Sequence, residues 1–219
     1  MSHSLTLYKV IAMLDRMYKR ALIVHGKPSK DTYFNPEFAS ASNAIWIPWL
    51  QQQLQQRDIS TQTPEMLRAY QPDYTIWKNT FEQFVLTPDT LLVGHSCGGG
   101  FLVQWLSEHP DVTVGDVFLV APAFGDSLTP DDRYDVELLG GFFDFTPDVN
   151  LTDRVRSLHL LYSDNDSSRV DATVELLKQT YPAMSQRLFS GYGHFSMTES
   201  GERKTTFPEL LEMIDQANT

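Results

Sequence analysis

The stretch LLVGHSCGGGF, residues 91–101, decides how this chain is read. Leu91-Leu92-Val93 runs into Gly94-His95-Ser96-Cys97-Gly98, and Phe101, Leu102, Trp105 and Leu106 then recur at helical spacing. A buried strand, a sharp turn and an amphipathic helix, with a serine between two glycines, make the G-x-S-x-G nucleophile-elbow pattern. A serine lifted on such a turn holds a strained backbone. Strand and helix then leave no room for a side chain two residues to either side. This puts Ser96 at the apex. Were Cys97 the apex, His95 would stand where a glycine belongs, so Cys97 reads as a small residue packed behind the nucleophile. Its backbone N–H, at the start of the helix, is expected to face a developing oxyanion.

The rest of the chain bounds what such a turn serves. A length of 219 residues suits one domain, and 42% hydrophobic residues with 12% aromatics suffice for a sizeable core. A net charge of -11 argues against nucleic acid or an anionic membrane surface as partner. No apolar run reaches the ~18 residues of a membrane span. A single cysteine excludes an internal disulfide and multi-cysteine metal sites, which suits a reducing, cytoplasmic setting. Lys9, Asp15 and Arg16 interrupt the apolar positions of residues 1–20, which therefore do not read as a signal peptide. That segment is expected to be an N-terminal extension, with Leu7, Val10, Ile11, Leu14 and Met17 at helical spacing.

From residue 21 onward, strand and helix signals alternate. Residues 21–24 form an apolar run closed by His25-Gly26. Trp46, Trp49, Leu50 and Leu54 predict a helix over 46–56, with Pro48 in its first turn and a run of glutamines on its solvated face. A weaker strand follows near Ile59, then a helix over 73–84. Further strands are expected over 90–93, Val114–Val120, 158–162 and 186–189, and helices over 170–180 and Pro208–Ala217. This predicts one α/β domain over 21–219, a mainly parallel sheet with helices on both faces and right-handed crossovers. Residues 124–153 break the alternation and read as a small cap insertion at the carboxyl end of a strand. Phe142, Phe143 and Phe145 are expected either to line its pocket roof or to pack the insertion onto the sheet.

A serine hydroxyl needs a base near neutral pH. Of six histidines, His3 lies in the extension, His109 at a helix end and His159 inside a strand. His25 and His95 flank turns at strand tips, suited to supporting the chemistry, and His25 to lining the substrate pocket. His194, in Gly191-Tyr192-Gly193-His194-Phe195 after the last strand, can drop an imidazole over the elbow, in the chain order Ser…Asp…His. Asp164 and Asp166 both follow the preceding strand. Asp164 suits capping its own turn, whereas Asp166 stands nearer the space above the sheet end. The loop after the first strand is expected to supply a second oxyanion donor, and Pro28 has no N–H, so Lys27's backbone is the candidate. No His, Cys and Asp spacing matches a metal motif, and no cofactor is expected.

The set H-G at 25–26, W-x-P-W-L at 46–50, G-H-S-C-G-G at 94–99, S-D-N-D at 163–166 and G-H-F at 193–195 resembles one family. It is that of the small serine hydrolases related to retinoblastoma-binding protein 9 and bacterial YdeN. The resemblance runs from about Arg20 to the C-terminus. It implies a compact three-layer α/β-hydrolase fold with strands in the order 2-1-3-4-5-6, which places Lys27 and Ser96 on the crevice between strands 1 and 3. It also implies a Ser-His-Asp triad and cleavage of an ester or amide, and it aligns Asp166 with the family's acid. After that residue this chain has Ser167-Ser168-Arg169-Val170 where the family usually has Pro-x-Val-Pro. The expected reaction is attack by Ser96 on the acyl carbonyl of a small-molecule ester or amide, with His194 as base, then release of the acyl group by water. The alternative is a catalytically silent hydrolase-fold module that binds a protein. The intact Ser, His and Asp set argues against it, since a scaffold has no physical reason to keep one.

Between residues 126 and 153 stand eight acidic side chains (Asp126, Asp131, Asp132, Asp135, Glu137, Asp144, Asp148 and Asp153) against Arg133. If that insertion covers the site, it repels anionic acyl groups and favours neutral or cationic ones. Otherwise the charge is a solvated surface.

Overall fold

The computed structural model describes residues 18–124, 142, 145–198 and 200–218. Six strands form one sheet: β1 (Arg20–Val24), β2 (Ser60–Gln62), β3 (Thr90–His95), β4 (Val114–Val120), β5 (Val155–Ser163) and β6 (Ser185–Phe189). They lie in the order β2-β1-β3-β4-β5-β6, and every neighbouring pair is parallel. This is the order expected from the sequence. Parallel neighbours need crossover connections, and these carry helices α1 (Lys30–Phe34), α2 (Ile47–Gln55), α3 (Tyr74–Phe81), α4 (Cys97–Glu108) and α5 (Ser168–Thr180), while α6 (Pro208–Ala217) follows the last strand. Among the described residues, no helix is long and apolar enough to cross a membrane.

Burial explains the strand sequences. Every residue of β3 and β4 is buried, so both read as near-continuous apolar runs. Edge strands β2 and β6 leave most of their side chains at least partly in water, and their sequences are correspondingly polar. Helix α2 accepts Pro48 in its first turn, where no backbone N–H is needed. It buries Ile47, Leu50 and Leu54 and leaves Gln52, Gln55 and Gln56 exposed. The Asp73 side chain caps α3 by accepting the Ile76 N–H at 3.0 Å, a contact worth about 1 kcal/mol. Trp77 and Phe81 of that helix pack edge-on against Phe101 of α4, with ring centroids 5.7 and 5.3 Å apart.

Packing begins before β1. Tyr18 is buried, its hydroxyl donates to Asp116 in β4, and its backbone N–H donates to Asn218 Oδ1 at 3.0 Å. Arg156 of β5 donates to both oxygens of the same buried carboxylate, at 2.9 and 3.0 Å. A buried charge without such partners would be strongly destabilising. Residues 18–20 therefore pack with the domain, and the helical pattern of residues 7–17 lies outside the described residues.

Candidate active site

Ser96 stands between β3 and α4 with φ 54° and ψ −124°, a backbone conformation that L-residues rarely adopt. Hydrogen bonds on both sides hold it there. Its N–H donates to Val120 O at 2.9 Å, and its carbonyl accepts from Gly99 N at 2.9 Å and Ala123 N at 3.1 Å. A Cβ on Gly94 would lie 2.6 Å from Gly99 Cα, and one on Gly98 would lie 2.3 Å from Val24 O. The glycine spacing is forced by the meeting of strand and helix. Cys97 opens α4 and is buried, and burial pushes its thiol up, against the opposing pull of the Lys27 charge and backbone N–H beside it. Lys27 and Ser96 line one cavity.

Ser96, His194 and Asp166 come together. Ser96 Oγ and His194 Nε2 are 2.8 Å apart, and His194 Nδ1 lies 2.9 and 3.1 Å from the two Asp166 oxygens. The Asp166 side chain is 3% exposed and that of His194 35%, so the carboxylate is shielded while the imidazole edge meets the cavity. Asp166 Oδ1 also accepts the Ser167 N–H at 2.6 Å, which fixes the carboxylate from behind.

The two loops that carry these residues are laced together by side-chain acceptors. Ser163 Oγ accepts Tyr192 N–H at 3.0 Å, Asp164 Oδ1 accepts Gly191 N–H at 2.9 Å, and Asn165 Oδ1 accepts Gly193 N–H at 2.7 Å. Each residue of Ser163–Asp166 thus holds one of Gly191–His194. Asp164 braces the opposite loop, where the sequence had suggested a cap on its own turn. The Gly191 N–H holds its carboxyl below the usual carboxylate range. Gly191 and Gly193 take φ 76° and 52°, which the tight path of this loop requires.

Two further donors pin the loop, and sequence reasoning gave neither this role. His95 Nε2 donates to the carbonyl of His194 at 2.9 Å, and Trp46 Nε1 donates to the carbonyl of Phe195 at 3.0 Å. The Trp46 and His95 rings meet edge-on at 5.7 Å. Phe195 itself has φ 56°, and Ile45, just before Trp46, has φ 52°. Such strain persists only where surrounding contacts over-determine the backbone. Burial, then the neighbouring His194, pushes His95 down to about 3, so it stays a neutral donor across ordinary pH. His25 is also buried and lines the cavity. Its Nδ1 donates to Gly26 O at 2.7 Å and its Nε2 accepts Met66 N–H at 2.9 Å, and burial lowers its pKa. Because C=O and N–H of a trans peptide point opposite ways, tying down the Gly26 carbonyl also fixes where the Lys27 N–H points. The motif positions 25, 46 and 95 were the available signal. Their hydrogen bonds depend on contacts far apart in the chain.

The cavity measures about 630 Å³. Its described lining includes Tyr33, Phe34, Phe38 and Ile45 from the connection between β1 and α2, and Met197 and Arg203 from the segment after β6. Of the two readings of the insertion's phenylalanines, Phe142 and Phe145 follow packing and do not form a pocket roof. Phe142 is fully buried against Trp77 of α3, with ring centroids 4.9 Å apart, and it stacks on Phe101 at 6.3 Å. Phe145 is half-buried against Phe124 at 5.1 Å, and neither residue reaches the cavity. An aromatic side chain gains more from a close-packed interior than from a wet roof. Phe143 lies outside the described residues. Among the described residues, no group of three or more His, Cys, Asp or Glu side chains could hold a metal ion.

Comparison with known proteins agrees with this architecture. YdeN from B. subtilis is 19% identical, with a TM-score of 0.71 over 91% of this chain and 98% of that one. A YdeN-like hydrolase from Pectobacterium atrosepticum is 14% identical, with a TM-score of 0.59 over 95% and 94% of the two chains. A pyrethroid hydrolase from Sphingobium faniae is 13% identical, with a TM-score of 0.53 over 92% and 98%. At such identities the likeness establishes the α/β-hydrolase fold alone. No curated protein sequence matches the chain. A family model described as "Serine hydrolase" matches residues 32–200, most of the chain, and the protein belongs to that serine hydrolase family.

Proposed function

We propose that the protein hydrolyses a small-molecule carboxylic ester or amide through an acyl-enzyme on Ser96. The observation that carries this reading is the unbroken hydrogen-bonded path from Ser96 Oγ through His194 to the shielded Asp166. Ser96 Oγ attacks the acyl carbonyl as its proton passes to His194 Nε2. The carbonyl electron pair moves onto oxygen, where the backbone N–H groups of Cys97 and Lys27 receive it. The tetrahedral intermediate then collapses. The bond to the leaving alcohol or amine breaks, and His194 gives that group its proton. A water, deprotonated by the same imidazole, attacks the acyl-enzyme and returns Ser96 with a free carboxylic acid. Asp166 holds the Nδ1–H tautomer and stabilises the imidazolium throughout.

Fluorophosphonate labelling tests this reading. Wild type is expected to label on Ser96 and Ser96→Ala to lose labelling and ester hydrolysis together. Full labelling of Ser96→Ala, or an unlabelled wild type that turns over no ester or amide, overturns it. The second result is the one expected of a silent binding module.

A further inference from the structure

We propose that the cleft takes esters whose organic part is a bulky apolar group bearing a carboxylate. The apolar part lies on the Tyr33–Phe38 wall and the carboxylate pairs with Arg203. This inference rests on the hydrolase reading above and names its substrate class.

The wall supplies the first argument. Phe34, Phe38 and Met197 are 61%, 41% and 47% exposed, and all three line the cavity beside Ser96. Scattered exposed apolar residues mean little, but several converging on one concavity next to a nucleophile mark a ligand surface. Tyr33, Phe34 and Tyr70 hold one another at ring distances of 4.8 to 5.1 Å, so the platform stands without a ligand to order it. A cleft of about 630 Å³ is far larger than an acetyl group needs and lies in the range of sites for drug-sized molecules.

Charge supplies the second. Arg203 is exposed at this cavity with its guanidinium 4.5 Å from the Phe38 ring centroid. Among the described residues no carboxylate pairs with it. Glu65, the carboxylate of the described lining, already accepts the Ser42 N–H at 3.0 Å and stands 3.8 Å from His25 Nε2. A guanidinium steadied on an aromatic face beside an apolar wall presents planar donors to a carboxylate at the end of an apolar substrate. The acidic residues of 126–144 lie outside the described residues, and the described lining favours the opposite charge to the one they suggested. The chain carries -11 overall, yet the described lining sets Lys27 and Arg203 against Glu65.

The test compares kcat/KM, above spontaneous hydrolysis, for p-nitrophenyl acetate, p-nitrophenyl 3-phenylbutyrate and mono-p-nitrophenyl 3-phenylglutarate. Both phenyl esters are expected to exceed the acetate, and the phenylglutarate to exceed the phenylbutyrate roughly fivefold to tenfold at low salt. That last ratio is expected to shrink with added salt and to collapse toward one in Arg203→Gln, while Arg203→Lys retains most of it. A best rate on acetate, or a ratio unchanged in Arg203→Gln, overturns the inference. If Ser96 labels and acetate is cleaved without these preferences, only the substrate class falls. If Ser96 neither labels nor turns over any ester, the hydrolase reading falls and takes this one with it.

Discussion

The floor and the wall of the cleft are built on opposite principles. On the floor, Ser96, His95 and His25 are buried, and backbone and side-chain hydrogen bonds tie each to a partner distant in sequence. On the wall, α1 buries none of its residues and Phe34 and Phe38 face solvent. On the proposed function, the difference separates two jobs. Reacting atoms need positions held to a fraction of an ångström, which only a close-packed, hydrogen-bonded frame supplies. A surface that chooses substrates needs area and charge, and exposed side chains provide both while contributing little to stability.

The sharpest way to break this comparison is at the acid. Asp166→Asn is expected to lower kcat by ~10⁴ through loss of tautomer control, in a protein that remains folded. Asp164→Asn keeps an oxygen for the Gly191 N–H and is expected to leave kcat little changed. Kinetics beside melting temperatures decide the matter. Loss of activity in Asp164→Asn with Asp166→Asn active would reverse the two roles.

The frame behind His194 comes next. His95→Phe removes the donor to the His194 carbonyl and is expected to cut kcat about tenfold to a hundredfold with KM nearly constant. His95→Gln keeps an N–H donor and should recover much of the loss. Trp46→Phe, which leaves the Phe195 carbonyl without its indole partner, is expected to cost about tenfold in kcat. A parallel fall in melting temperature with kcat intact in the folded fraction would make both residues purely structural.

On the wall the expected effects are smaller and of another kind. Phe38→Ala should raise KM for phenyl-bearing esters about fivefold, from lost apolar contact of about 1 kcal/mol, with the melting temperature barely moved. A kcat effect in place of a KM effect would place Phe38 with the frame.

The smallest effect is on stability against pH. His95 and His25 are held neutral in the folded state by burial, His95 down to about 3. The unfolded chain therefore takes up protons first as pH falls below about 6.5. This contribution to stability is present above pH 6.5 and declines as pH falls from there toward 3. Between pH 7.5 and 5, wild type is expected to lose more melting temperature than His95→Phe. Equal losses would mean that His95 is not buried as a neutral ring.

Short-range pattern decided much of this protein. The alternation of apolar runs with helical periodicity is a local property, and with crossover handedness it sufficed for the parallel sheet, while the strand order came from the family resemblance. The elbow was legible because its glycines flank Ser96 at a fixed spacing, although the contact that forbids a side chain at Gly98 comes from Val24 of β1. For the partners of Ser96 the sequence already favoured His194 among six histidines and, with the family resemblance, Asp166 over Asp164. Tertiary structure brings His194 and Asp166 to Ser96 and sets Asp164 against the Gly191 loop, contacts that join the segments following β3, β5 and β6. It also sent Phe142 into the core and drew the wall from residues 28–45. Sequence spacing records which side chains are apolar, but whether an apolar side chain meets a core or a cleft depends on what the rest of the chain places over it.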